Sequence, residues 1–202
     1  VLGEDCKFAY PTLSPDGAQV AFTKARSGVS AVWVVNHDGT GLRAVTPILQ
    51  SITGQPGNTF PRTRAVWSPA VALGQQPKLL FADSPTTGAY QRQLFVVNVD
   101  GTGRTQLTTG ANLHLNSPAA WEWSADATRI AFLSESGPVV ATLSVVSGQL
   151  VITGETLLPA PAAHNRLVEL GWANAADRLV LTVQNQAWGL NRDLWLVDLA
   201  NP

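Results

Sequence analysis

Four stretches of this chain align with one another. A repeat constrains a fold more than any single motif, because every copy must form the same supersecondary unit and stack on its neighbours to bury a core. The first copy reads Leu13-Ser14-Pro15-Asp16-Gly17-Ala18-Gln19-Val20-Ala21-Phe22. The second opens Trp67-Ser68-Pro69, carries an insertion through Pro77 and resumes as Lys78-Leu79-Leu80-Phe81. The third is Trp123-Ser124-Ala125-Asp126-Ala127-Thr128-Arg129-Ile130-Ala131-Phe132. The fourth is Trp172-Ala173-Asn174-Ala175-Ala176-Asp177-Arg178-Leu179-Val180-Leu181. The period is about fifty residues, the length of a small sheet with its turns.

A second block follows each copy. Val32-Trp33-Val34-Val35-Asn36-His37-Asp38-Gly39 and Leu94-Phe95-Val96-Val97-Asn98-Val99-Asp100-Gly101 both lead into a strand ending Val45-Thr46 or Leu107-Thr108. The third copy is weaker, running from Val140 to Gly148, and the fourth ends Leu194-Trp195-Leu196-Val197-Asp198-Leu199. Each unit therefore supplies about four short β-rich segments. Pro15-Asp16-Gly17 has the order a tight turn needs, proline setting φ and glycine accepting φ above zero. Asp38-Gly39 and Asp100-Gly101 do the same for the outer hairpin. No window shows sustained helical periodicity with caps. The expected class is all-β: one β-propeller domain over residues 1–202, made of four-stranded antiparallel blades at about 8–46, 60–108, 116–153 and 164–202. Trp67, Trp123 and Trp172, with the strand aromatics Trp33, Phe95 and Trp195, recur at equivalent positions and are expected to pack as core between blades.

Ser-Pro-Asp-Gly followed by apolar-Ala-Phe, then an apolar strand, Asn-x-Asp-Gly and a Leu-Thr finish, resembles the TolB-type propeller repeat. The first copy is close to that pattern, the second matches outside its insertion, and the third and fourth lose the turn's Pro and Gly. The resemblance implies a closed ring of six or seven blades, whereas four units are visible and the last stops before its outer strand. It further implies a longer parent chain, or a ring completed by another chain or a separate segment. Proteins with this repeat include envelope proteins and the lid domains of prolyl-oligopeptidase-like enzymes.

Composition narrows the partners. Basic and acidic residues number 13 and 14 with no run of either sign, so non-specific nucleic-acid binding has no electrostatic source. Charged residues are 13% of the chain, about half the usual share, and the 17 Gly and 13 Pro suit short strands and many turns. No stretch reaches the ~20 apolar residues of a membrane span, and the N-terminus has no signal-peptide pattern. Methionine is absent, position 1 included, which predicts a removed leader and a longer parent. The lone Cys6 is expected to be a half-buried, inert thiol.

Little in the sequence points to chemistry. The turn acids Asp16, Asp38 and Asp100 lie on separate hairpins, whereas calcium needs six to eight converging oxygens, so they are expected to be structural. His37, His114 and His164 have no partner at metal-ligand spacing. No Gly-x-Ser-x-Gly elbow, Walker or Rossmann pattern occurs. No cofactor, metal or catalytic residue is expected. The non-repeating connections are more informative, because long loops between short hairpins need an explanation other than folding. Two of them, Pro47–Thr63 and Asp83–Gln93, fall on one expected face with the later crossovers. The candidate partner-binding residues are Arg62, Arg64, Tyr90, Arg92, His114, His164, Trp188 and Arg192, side chains of the aromatic, cationic and imidazole types that suit an interface. Arg64, Glu122 and Glu169 are expected on first strands, facing a central channel.

The leading expectation is a non-catalytic scaffold of the bacterial envelope or exterior, periplasmic or extracellular, that binds another protein through this loop face. The alternatives are an accessory propeller of a larger peptidase and a carbohydrate-binding or carbohydrate-active propeller.

Overall fold

Short runs of β-branched and aromatic residues, cut by turn residues, form sixteen strands among the described residues of the computed structural model. It describes residues 7–26, 29–47, 49–50, 63–69, 76–83, 93–110, 120–159, 165–173, 177–185 and 192–200. Sheet 1 takes β1 (Lys7–Leu13), β2 (Gln19–Arg26), β3 (Val29–Asn36) and β4 (Arg43–Ala44) in order, and a short β5 (Leu49–Gln50) pairs with the start of β3. Sheet 2 is β6 (Val66–Trp67), β7 (Lys78–Asp83), β8 (Gln93–Asn98) and β9 (Thr105–Gln106). Sheet 3 is β10 (Trp121–Trp123), β11 (Arg129–Ser134), β12 (Gly137–Val146) and β13 (Gln149–Leu157). Sheet 4 holds β14 (Asn165–Trp172), β15 (Arg178–Asn185) and β16 (Arg192–Asp198). All neighbours are antiparallel, so each sheet is a meander of the propeller-blade type, as the repeat predicts. The strand β5 falls in a crossover read from sequence as loop. Sheets 1 and 2 lie in one compact unit, residues 1–70 with 74–109, and sheets 3 and 4 in another, residues 71–73 with 110–202.

The turn between the first two strands is built the same way in two copies. Gly17 N donates to Ser14 O at 2.9 Å, and Ala127 N donates to Ser124 O at 2.9 Å. Gly17 has φ +73, and Ala127, at the same repeat position, accepts φ 54. The third copy therefore keeps the turn after losing its glycine, at the modest cost of one non-glycine residue in the left-handed region. The serine hydroxyl then pins the turn from within. Ser14 Oγ donates to Asp16 Oδ1 at 2.6 Å and accepts from Gln19 N at 2.8 Å. Ser124 Oγ repeats both bonds with Asp126 and Arg129 N. In sheet 2 the insertion is pinched off at its base, where Lys78 N donates to Ser68 Oγ at 2.9 Å and Ser68 N donates to Lys78 O at 2.8 Å.

Alternation along the strands gives each sheet two faces. In sheet 1 one face carries Ala21, Val32 and Val34, and it packs with Leu79, Phe81, Phe95 and Val97 of sheet 2 in a single buried cluster. We term these the trailing face of sheet 1 and the leading face of sheet 2. Polar groups in this seam are satisfied across it: Thr23 Oγ1 donates to Thr63 O at 2.6 Å, Thr12 Oγ1 to Ala65 O at 2.8 Å and Trp67 Nε1 to Thr12 O at 3.0 Å. At the turns, Arg43 Nη2 donates to Val99 O, and a Cβ on Gly101 would come 3.3 Å from Val45 O. That close approach, with φ +89, calls for glycine at 101. In the other unit, Arg129 reaches Asp177 Oδ1 at 2.9 Å and lies over the Trp172 ring at 5.1 Å.

The aromatic expectation holds for Trp67, Trp123 and Phe95, which are buried, while Trp33 and Trp172 are half-buried. It fails for Trp195, which is 43% exposed. The reason lies in the fourth strand. In sheet 2, β9 sets Gln106 opposite Phe95, and Arg104 next to it covers the Phe95 ring at 4.0 Å. Among the described residues, sheet 4 has no strand beyond β16.

Candidate functional site

The acids that recur in the repeats are all engaged locally. Asp16 accepts from Ser14 Oγ and from Ala18 N at 3.0 Å. Asp38 and Asp100 each accept both the backbone N–H and the hydroxyl of the threonine two residues on, Thr40 and Thr102. Asp126 does the same with Thr128 and adds Ser124. These bonds favour the ionised form and hold all four carboxyls below their ordinary value. Their role is to fasten turns, as the sequence predicts. Among the described residues no group of three or more His, Cys, Asp or Glu side chains is placed to hold a metal ion.

Of the candidate binding residues, Arg62, Tyr90, Arg92, His114, His164 and Trp188 lie outside the described residues. Arg64 is half-buried in the segment entering β6, two residues before the strand on which it was expected. Arg192 was read as a loop residue and instead opens β16, opposite Gln184, because β15 runs on to Asn185. Asn165 likewise opens β14, opposite Asn185. Arg192 is exposed and meets Glu169 Oε1 at 3.5 Å, a surface pair that leaves its guanidinium open to further contacts. Glu122 and Glu169 lie on β10 and β14. Arg64 belongs to the first compact unit and Arg192 to the second.

Sequence reasoning did not single out the exposed leucines of β16. Leu194 is 74% and Leu196 58% exposed on β16, while the equivalent Val32 and Val34 of β3 are buried.

Four antiparallel meanders of this kind define a propeller-type protein. Neither a protein-family model nor a curated protein matches the sequence. Among solved structures, a putative TolB from Agrobacterium tumefaciens is similar with a TM-score of 0.64 at 17% identity, over 96% of this chain and 62% of that one. A puromycin-hydrolyzing peptidase from Mycobacterium tuberculosis is similar at 0.58 and 15% identity, over 96% of this chain and 27% of that one. An acylaminoacyl peptidase from Pyrococcus horikoshii is similar at 0.54 and 11%, over 96% and 31%. At such identities the likeness is one of fold. The chain spans about three fifths of the TolB structure and under a third of either peptidase.

Proposed function

We propose that this chain is a non-catalytic scaffold of the cell envelope or exterior that binds another protein through the connections between its strands and sheets. The observation that carries this reading is how the repeated acids are used. Asp16, Asp38, Asp100 and Asp126 are each held by two or more turn hydrogen bonds, so the side chains that recur most regularly serve folding. What varies from copy to copy is then the material for recognition, and loops on a rigid sheet scaffold are where binding residues concentrate. The fold-level likeness to a TolB supports the envelope or exterior, periplasmic or extracellular, as the location. No helix among the described residues is long and apolar enough to cross a membrane.

The test is cross-linking in the native cell followed by quantitative recovery of partners. A variant with Tyr90, Arg92, Trp188 and Arg192 replaced by alanine should keep its thermal melt and lose the partner. Undiminished recovery rejects this face. A second reading, an accessory domain of a larger peptidase, is favoured by the two peptidase structures, of which this chain matches only a part. A catalytic Gly-x-Ser-x-Gly segment in the same gene product would select it.

A further inference from the structure

The outermost strand of a meander keeps one row of backbone N–H and C=O groups on its open side. In sheets 1 and 2 that strand is two residues long, Arg43–Ala44 and Thr105–Gln106. In sheet 3 it is the nine-residue β13, and among the described residues no strand pairs with its outer side. The register says which groups point there. Leu158 N donates to Pro138 O and Leu143 N to Thr128 O, so Val140 turns its backbone groups toward β13 and Ala141 toward β11. Thr156, opposite Val140, therefore bonds inward. Glu155 and Leu157, opposite Ala141 and Val139, direct their N–H and C=O away from the sheet.

Open edges are ordinarily guarded by lysine, proline, a bulge or short length. The bulge of β13 lies at Thr153, and the four residues after it, Gly154-Glu155-Thr156-Leu157, pair regularly with β12, are all exposed and include neither lysine nor proline. Sheets stack face on face, as sheets 1 and 2 do, so a further sheet covers a face and leaves this edge as it is. What fits a row of outward donors and acceptors is a single extended backbone. Sheet 1 holds an instance: the crossover segment Leu49–Gln50 pairs antiparallel with Val29 and Ser30, on the β4 side of β3 and past the end of β4.

We infer that Gly154–Leu157 takes an extended basic segment of another protein as an added antiparallel strand of sheet 3. Glu155 is the only charged residue between Gly137 and Leu158, so a lysine or arginine directly across from it is favoured and an acidic residue there is rejected. Leu157, 57% exposed and on the same side of the strand, takes an apolar neighbour two residues away. This edge is separate from the loop residues assigned to partner binding above, so the two readings fail independently.

Amide hydrogen exchange of the whole chain, followed residue by residue by NMR, tests this with a capped heptapeptide of alternating threonine and valine whose central valine is replaced by lysine. The peptide should slow the Glu155 and Leu157 amides by about tenfold or more and leave those of β4 unchanged. Glutamate in place of the lysine should weaken the effect. N-methylation of the lysine and valines, whose amides face the edge, should abolish it, and N-methylation of the threonines should not; that contrast leaves the protein untouched. Leu157→Pro removes an outward N–H and no bond to β12, so it should keep its melt and lose the peptide. Glu155→Gln should bind the lysine and glutamate peptides alike. No slowing at millimolar peptide, equal effects of the two N-methylated peptides, or undiminished binding by a folded Leu157→Pro overturns the inference. So does a free chain whose Glu155 and Leu157 amides are already as protected as that of Thr156, because another segment is then seated on the edge.

Discussion

Ser14, Ser68 and Ser124 each accept a hydrogen bond from the first amide of the following strand, so one hydroxyl per repeat decides where that strand begins. Ala173 cannot do this in the fourth copy, where the backbone bond from Ala173 N to Arg178 O closes the hairpin at 3.0 Å. The hydroxyl also sets the acid response. Asp16 and Asp126 are lowered first by the bonds from Ser14 and Ser124, and Asp38 and Asp100 first by those from Thr40 and Thr102, from an ordinary 3.8. A carboxyl whose folded pKa lies below its unfolded one adds stability above the unfolded value, and that stability is lost as the pH falls through the folded one. The thermal midpoint should therefore hold from neutrality down to the ordinary carboxylate range and drop below it. Asp38→Asn with Asp100→Asn should flatten the drop, since the amide oxygen still accepts the threonine N–H but does not titrate. An acid limb of unchanged steepness in that variant contradicts the assignment.

The strands separate aromatics that look alike in sequence. Trp123 is buried in β10, and Trp123→Ala should cost about 3–5 kcal/mol in denaturant unfolding. Trp195, half open on β16, should cost about 1 kcal/mol or less, measured at a concentration where the protein is monomeric. Equal losses at the two positions would refute the difference in burial. Only part of this distinction was legible beforehand. Period-two alternation and the turns at Asp38-Gly39 and Asp100-Gly101 are local signals, and they marked the hairpins from β3 to β4 and from β8 to β9 directly. Whether Leu196 is as buried as Val34 depends on what lies over it, and no window of the sequence carries that. The third copy shows a second limit. Thr142 stands opposite Arg129, where Asn36 stands opposite Gln19 in sheet 1, yet β12 continues to Val146. It turns there at Ser147 and Gly148, both with positive φ, the backbone of a primed hairpin turn. A hairpin lengthened by its turn, without Asp-Gly to mark it, reads in sequence as drift. Of the candidate site the sequence offered only residue types: Arg192 is exposed, but the strand it opens was hidden by the polar run Gln184-Asn185-Gln186.

At the scale of the molecule, 27 charged residues in 202 leave the chain near neutrality, so its solubility rests on uncharged polar side chains and on how its apolar faces are covered. Its tolerance of change rests elsewhere. Nine residues, 69 to 77, stand between Ser68 and Lys78, where sheet 1 has four between Ser14 and Gln19, and the backbone bond at the base is 2.8 Å in both. The base of the hairpin therefore closes the same way with nine residues between as with four. A foreign epitope of about ten residues spliced between Ala125 and Asp126, both exposed at the matching tip of sheet 3, gives up the Ser124–Asp126 bond but keeps the pinch of Ser124 with Arg129 and the bonds from Thr128 to Asp126; it should lower the melting temperature by several degrees without loss of the fold, since lengthening a closed surface loop costs only about 0.6 kcal/mol per doubling. Collapse of the melt would show that the pinch at Ser68 depends on its own insert. Otherwise each hairpin tip is a display port, and the repeat is a frame on which new peptides can be mounted one sheet at a time.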